Sequence, residues 1–325
     1  MNPSSPRHSG PIDEALLVVP VEQATSSDGS TKTLWRLHDG NQVESLSFTL
    51  GGDGSTAVPD ERIATPVRDS RGHVVCVSSQ AGCNVACRFC ATGLQPMRRD
   101  LTAEEMVAQV RRTRVLEERT TPTRVIFAGM GEPLLNLEEV LRAVSLLESD
   151  PGVAHISVST MGVLPALDTL TEQAPSVDLF LSLHATTDEV RTRLIPLNRA
   201  NPIAELLRAA ERFARAHGRV IDVSYLLFNG VNDDDADADR LIGLLDPRYF
   251  RVQLLLWNDV PGLPFSRVEE DVVERFRDRL VAGGLPTYIM PSKARDIDGG
   301  CGQMLTEAAK EHRVNRANKA MLPLV

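Results

Sequence analysis

The chain has 325 residues, 42% of them hydrophobic, which is enough to bury a full-sized core and excludes disorder over most of its length. Its formal net charge of −9 excludes a protein that grips nucleic acid by overall basic charge, because phosphate affinity comes largely from Lys and Arg. No apolar run approaches the roughly 20 residues that a membrane-spanning helix needs, so a cytoplasmic protein without a membrane anchor is predicted.

In chain order, residues 1–30 are rich in Ser, Pro and Gly around one short apolar stretch and are predicted to form a poorly ordered arm. Residues 31–72 form a small β extension. Two strands within 35–50 are joined at Asp39-Gly40-Asn41, since Asp-Gly supplies the positive φ of a tight hairpin, and a Gly/Asp/Ser-rich loop follows. From residue 74 short β-branched runs alternate with longer amphipathic segments. Strands are predicted over 74–78, 124–129, 155–159, 177–184, 220–228 and 250–257, with a possible seventh over 286–290. Helices are predicted over 102–118, 137–147, 164–173, 203–217, 235–245 and 271–282. Thr102 with Glu104 and Glu105, and Asn136 with Glu138 and Glu139, read as helix starts. Six strand-then-helix units imply an α/β fold with parallel crossovers, either a doubly wound sheet or a full or partial (β/α) barrel, and periodicity does not choose between them. In a barrel, chemistry gathers at the C-terminal ends of the strands. Cys83, Glu132, Ser159, His184 and Asn258 all fall at or just beyond such ends.

Only five cysteines occur, and three crowd into Cys83-Asn-Val-Ala-Cys87-Arg-Phe89-Cys90, unlike the spread of a secreted disulfide framework. A reducing compartment and a metal site follow. Three thiolates suit a [4Fe–4S] cluster with one iron left open; a structural zinc loop is the alternative, but it wants four closed protein ligands and no fourth stands nearby. The C-x3-C-x2-C spacing, with aromatic Phe89 before the last Cys, resembles the radical S-adenosylmethionine (SAM) superfamily. That resemblance implies that the open iron chelates SAM. Gly129-Met-Gly131-Glu132-Pro133 then stands where the superfamily has its glycine-rich SAM segment. Ser159, Ser182-Leu183-His184 and Asn258 supply further polar groups at strand ends, although each alone would more often be a satisfied structural residue.

With the two outlying cysteines included, the resemblance narrows. Cys76-Val-Ser-Ser-Gln-Ala-Gly-Cys83, Gly129-Met-Gly-Glu-Pro-Leu-Leu-Asn136, Ser182-Leu-His-Ala185, Gly230-Val-Asn-Asp233, Asn258-Asp-Val-Pro-Gly262 and Asp296-Ile-Asp-Gly-Gly-Cys-Gly-Gln303 occur in this order. Together they are similar to the RlmN/Cfr family, radical SAM enzymes that methylate an adenine ring carbon in 23S rRNA, and for RlmN also in tRNA. What the resemblance implies is a partial (β/α)6 radical SAM barrel over residues 73–310 with a small N-terminal β extension, a C-terminal catalytic cysteine loop and a tail over 311–325. It implies a [4Fe–4S] cluster on Cys83, Cys87 and Cys90, and SAM used twice per turnover. SAM contacts would come from Phe89, Gly131, Glu132, Ser159, Ser182, Leu183, His184 and Asn258. Cys301 would be the methyl-carrying thiol, Cys76 its resolving partner and Glu44 the acid/base residue. An external electron donor such as flavodoxin or ferredoxin, an adenine-containing RNA substrate and a monomeric enzyme complete the expectation.

The chemistry gives the extra thiols a purpose. An amidine carbon of adenine is electrophilic, so a methyl cation equivalent will not transfer to it directly. A nucleophilic thiolate can take the methyl group first, and radical chemistry can then deliver the carbon. Two departures from the family stand out: its members usually carry an N-terminal helical domain, for which the short arm here is no substitute, and the Arg-rich, Gly-containing strand before Asp296 reads Ile289-Met-Pro-Ser-Lys-Ala-Arg295. The same chemistry on a small nucleoside-like or natural-product substrate therefore stays open beside RNA. A non-catalytic metal-binding module is the third reading, and it leaves Cys76 and Cys301 without a role.

Overall fold

The computed structural model describes residues 14–51, 72–300 and 302–304. Ten strands form one sheet whose spatial order is the chain order: β1 (Val18–Thr25), β2 (Thr31–Leu37), β3 (Gln42–Leu50), β4 (Gly72–Val77), β5 (Thr123–Phe127), β6 (Val153–Thr160), β7 (Asp178–Ser182), β8 (Ile221–Leu227), β9 (Phe250–Leu256) and β10 (Thr287–Met290). The first four pair antiparallel, and β4 to β10 pair parallel. Between the parallel strands run α1 (Ala103–Leu116), α2 (Leu137–Glu148), α3 (Leu164–Gln173), α4 (Asp188–Leu194) with α5 (Ile203–His217), α6 (Asp235–Leu244) and α7 (Glu270–Ala282). A doubly wound sheet reverses its strand order at a switch point. No reversal occurs here, which selects the partial barrel.

The two faces of the parallel strands are chemically different, and strand geometry explains how. Side chains alternate sides with period two. Arg124 and Ile126, Ser157 and Ser159, Phe180 and Ser182, Ser224 and Leu226, and Gln253 and Leu255 all face one interior cavity. Their neighbours Phe127, Val158, Leu181, Val223, Val252 and Leu254 point the other way into the main apolar core. Helices cover that outer side. In α5, Ile203, Leu206, Leu207, Ala210, Phe213 and Ala214 are buried at helical spacing, and Gly218 at φ 61° closes the helix.

Thr102 caps α1 in a capping box: Glu105 N donates to Thr102 Oγ1 (3.2 Å) and Thr102 N donates to Glu105 Oε2 (3.0 Å). Asn136 does not cap α2. Its Nδ2 instead donates to Ser79 O (2.9 Å) and Leu101 O (2.8 Å), tying down the loop that follows β4.

One boundary needs correction. Within the stretch predicted as an arm, Val18–Thr25 is a strand, paired with β2 along its length apart from a shift at Pro20. Residues 1–13, 52–71 and 305–325, over which the rest of the arm, a loop and the tail were predicted, lie outside the described residues, as does Cys301. Among the described residues, no helix is long and apolar enough to cross a membrane.

Candidate active site

The loop between β4 and α1 carries the cysteine motif over the C-terminal ends of the parallel strands. It rests on a second apolar cluster that includes Val85, Phe89, Leu194, Ile195, Phe228 and Trp257. Its backbone is fixed at several points: Arg88 N donates to Leu194 O (2.9 Å), Ala91 N to Gly302 O (2.7 Å), and Trp257 Nε1 to Phe89 O (3.3 Å). Gly93 is required there, because a Cβ would stand 2.8 Å from Cys87 O. Phe89 is buried, with its ring 5.3 Å from that of His184 in an edge contact and 5.2 Å from that of Phe228.

Cys83, Cys87 and Cys90 line a cavity of about 300 Å³ framed by the strand ends. Burial pushes the Cys83 thiol up to about 12, the Cys87 thiol well above its ordinary value, and the Cys90 thiol up as well. Their mutual proximity adds to the effect at Cys83 and Cys87. Backbone N–H groups nevertheless aim at the sulfurs, from Val85 and Ala86 toward Cys83 and from Thr92 and Gly93 toward Cys90. Buried thiols with N–H donors aimed at them are arranged for the thiolate form, which a bound metal centre stabilises. Among the described residues, no three His, Cys, Asp or Glu side chains converge as ligands of a single ion would. Thiolates on separate irons of a cubane need no such convergence, so the donor set fits a [4Fe–4S] cluster.

The Gly129-Met130-Gly131-Glu132 segment packs directly on this loop. A Cβ at Gly129 would meet Ser78 N at 2.8 Å, and Gly131, at φ 105°, presses on Gln80. Gln80 Oε1 accepts Glu132 N (2.8 Å), while its Nε2 donates to Asp100 Oδ1 (2.7 Å). The Glu132 carboxylate is buried and accepts from Thr160 Oγ1 (2.5 Å), Met161 N (2.8 Å) and Leu134 N (3.1 Å). Burial still holds its pKa above the ordinary value. Such a carboxylate gains from an ammonium partner, which the amino group of SAM offers.

His184 sits just past β7 at φ 58°. Its Nδ1 accepts Leu226 N (3.0 Å) and its carbonyl accepts Asn232 Nδ2 (2.9 Å). Burial, with Arg191 nearby, lowers its pKa to about 3, so the ring is neutral with Nε2 as donor. Phe89, Gly131, Glu132, Ser159, Ser182, His184 and Asn258 all line the cavity, as does Cys76.

Two predicted residues do not. Leu183 is buried in the main core, its N–H donates to Ser224 O (3.1 Å) and its carbonyl accepts Arg191 Nε (3.0 Å), so its polar groups are consumed by the fold. Glu44 lines a second cavity of about 210 Å³ with Lys32, Ile297 and Asp298. Its Oε1 lies 3.4 Å from Lys32 Nζ, and its carbonyl accepts Ser78 Oγ (2.6 Å).

Cys301 lies outside the described residues, but its neighbours are informative. Gly299, Gly300 and Gly302 line the main cavity. A Cβ at Gly300 would collide with Asn258 Nδ2, and Gly300 N donates to Gln303 Oε1 (3.0 Å). The turn between β1 and β2 clasps the segment before it: Ser26 Oγ and Ser27 N donate to the Asp296 carboxylate, Ala294 N donates to Asp28 Oδ2 (3.0 Å), and Lys32 Nζ donates to Asp298 O (3.3 Å).

Sequence reading missed Gln80, Thr160 and Arg191, and it missed Arg124 and Lys293 on the cavity wall. Gln80 stands inside the Cys76–Cys83 motif with no role read for it, and the others sit in no chemistry-bearing motif.

Residues 77–242 match the radical SAM superfamily. The chain is 39% identical over 290 residues to the dual-specificity RNA methyltransferase RlmN 2 of Myxococcus xanthus, spanning 86% of this chain and 71% of that protein. It is 38% identical over 324 residues to the RlmN of Anaeromyxobacter dehalogenans, spanning 95% and 82%. Among solved structures, a radical SAM methyltransferase from Sphaerobacter thermophilus superposes with a TM-score of 0.78 at 37% identity, covering 88% of this chain and 81% of that one.

Proposed function

The chain belongs to the RlmN family of radical SAM methyltransferases, and from that premise we propose that it methylates a ring carbon of an adenine in RNA through a methylated cysteine. The observation that carries this reading is the convergence on one cavity of the three motif cysteines, Cys76 and the glycines on either side of Cys301.

Cys83, Cys87 and Cys90 would hold the cluster, and Gly131, Glu132, Ser159, Ser182, His184 and Asn258 would hold SAM, bound twice per turnover. The cluster and SAM, when bound, supply a methyl group and the radical chemistry that a polar transfer to an electrophilic carbon lacks. Glu132 orients the amino end through its charge. Neutral His184 presents a fixed N–H donor and an edge for Phe89. Cys301 carries the carbon that is to be transferred; the radical adduct must then lose one electron, for which the oxidised cluster would be the acceptor, and one proton, which Glu44 takes from the second cavity beside Lys32 and Asp298. Cys76 then attacks the sulfur of Cys301. The S–S bond forms as the C–S bond breaks, the electron pair stays with the substrate carbon, and protonation there completes the methyl group. An external donor such as flavodoxin or ferredoxin reopens the disulfide and feeds the cluster. The turn between β1 and β2, with Lys32, acts as the clasp on the segment before Cys301, residues 73–310 act as the catalytic barrel, and the enzyme works as a monomer.

With SAM carrying a trideuterated methyl group, product RNA should retain two deuteriums, because one hydrogen of the cysteine-borne methyl is removed. Cys76→Ala should accumulate a protein–RNA adduct through Cys301 that survives denaturation and disappears in the Cys76→Ala/Cys301→Ala double variant. Normal turnover by Cys76→Ala together with three retained deuteriums would overturn the mechanism.

A further inference from the structure

Arg191 in α4 is fully buried, yet it has no ion-pair partner among the described residues. Its hydrogen bonds all go to neutral oxygens. Nε donates to Leu183 O (3.0 Å), Nη1 to Asn198 Oδ1 (2.8 Å) and Asn201 O (3.4 Å), and Nη2 to Met161 O (2.6 Å) and Ser182 O (3.1 Å). A full positive charge therefore sits in the interior among dipoles. Such a charge is costly unless something negative lies close by. Burial pulls its pKa down to about 10, which leaves it protonated at neutral pH.

The negative groups that act on it point to its purpose. They are Cys87, Asp188 and Glu132; Asp188 is exposed and screened, while the other two line the cofactor cavity. Arg191 itself does not line that cavity. It reaches the site through one shared peptide: Met161 N donates to Glu132 Oε2 (2.8 Å), and Met161 O accepts Arg191 Nη2 (2.6 Å). The same guanidinium fork gathers carbonyls from beyond β6 and from the end of β7, where Ser159 and Ser182 are displayed. In the protein alone no described anion is hydrogen-bonded to the guanidinium, and Glu132 acts on it only at a distance. Three thiolates would compensate the charge.

We propose that Arg191 is a positioning residue that acts as the buried counter-charge of the cysteine-held cluster, easing its one-electron reduction without touching it. The physical basis is that each added electron deepens the negative charge of a centre in a low-dielectric interior, and a fixed cation nearby offsets that cost. The inference rests on reading Cys83, Cys87 and Cys90 as cluster ligands.

The test is an anaerobic redox titration of the reconstituted holoenzyme with dithionite as electron source, followed by electron paramagnetic resonance. Iron and sulfide are assayed on every sample. In Arg191→Met the equilibrium for reduction should fall at least tenfold at a given potential, a drop of about 59 mV for one electron. Arg191→Lys keeps the charge and should stay within about threefold of wild type. It should nevertheless bind SAM more weakly, since an ammonium cannot span the carbonyls of Met161, Ser182 and Leu183. Arg191→Gln removes the charge but keeps a donor for the carbonyls that the fork gathers. It should lose as much as Arg191→Met, and it decides the matter if Arg191→Met does not take up iron. Equal shifts in the Lys and Met variants, or a loaded neutral variant with an unchanged potential, would overturn the proposal. Wild-type protein without iron would instead sink the cluster reading beneath it.

Discussion

Acidification should destabilise this protein through one identifiable side chain, His184. Its ring is buried on the cavity wall, its Nδ1 is committed to Leu226 N, and Arg191 stands near enough to oppose a second positive charge. The folded pKa is depressed from 6.5 to about 3. A histidine depressed in this way contributes stability that is complete above its unfolded pKa and is lost as pH falls toward the folded value. At pH 5 the unfolded chain has gained about 1.5 pH units of protonation free energy that the native state refuses, worth about 2 kcal/mol at 1.36 kcal/mol per unit. That is a large share of an ordinary stability of about 5–15 kcal/mol. The matched control is His184→Asn, whose Oδ1 can still accept Leu226 N and whose backbone tolerates φ 58° better than most residues. Losing the ring edge against Phe89 should cost about 1 kcal/mol at every pH and cancel in the comparison. Urea unfolding at pH 7 and pH 5 measures both proteins, and wild type should lose about 2 kcal/mol more than the variant over that interval. If the gap between them is the same at both pH values, the burial argument for His184 fails.

Two further perturbations separate the site from its scaffold. Anaerobically reconstituted wild type should carry about four irons and four sulfides per chain, and replacing any one of Cys83, Cys87 or Cys90 with Ala should remove most of both; stoichiometric zinc without iron would contradict the cluster assignment. At the opposite end of the strands Asp222 accepts Arg251 Nε (2.5 Å), Arg251 Nη2 (2.7 Å) and Tyr288 Oη (2.8 Å), binding β8, β9 and β10 together. Asp222→Ala strands a buried guanidinium and should cost about 3–5 kcal/mol in urea unfolding, while iron content in the folded fraction stays at the wild-type level.

The parallel strands and the longer helices were legible because both leave periodic signals. The buried face of α5 and the near-continuous burial of β8 and β9 follow directly from apolar spacing. β1 escaped because it is an edge strand whose residues are mostly half-buried or exposed, with Pro20 at an irregularity in its pairing. α4 escaped because Asp-Glu-Val-Arg-Thr-Arg-Leu is seven residues long and mostly polar. A sequence of that kind reads as a solvated connection, and only tertiary carbonyls turn Arg191 inward. β7 ended two residues earlier than its apolar pattern suggested, at Ser182. The chain leaves the strand so that His184 can turn its ring onto Leu226 N and Phe89. Local preference gives way at that point to the demands of the cavity.

The site shows the same division between what spacing can say and what only contact reveals. Three cysteines within eight positions announce a metal loop, since such a loop is local in sequence. The fastening of the other cysteine segment is not local. Ser26, Ser27, Asp28 and Lys32 reach Asp296, Ala294 and Asp298 across more than 260 positions. No periodicity encodes that clasp, yet it gives the antiparallel strands a purpose. Asp296 is held below the ordinary carboxylate range, at about 2, by hydrogen bonds from Ser26 and Ser27, so it stays an acceptor throughout the neutral range. Ala294 adopts φ 54°, a conformation that glycine would enter more cheaply, and it does so fully buried with its N–H taken by Asp28. The strained turn and the clasp are one device: contacts from the extension hold the loop that leads to Cys301 in a shape its own sequence disfavours. The role proposed for Cys301, to meet first a methyl donor and then Cys76, calls for an approach fixed by the surrounding fold, and the contacts from the N-terminal strands to residues 294–298 are a restraint of that kind.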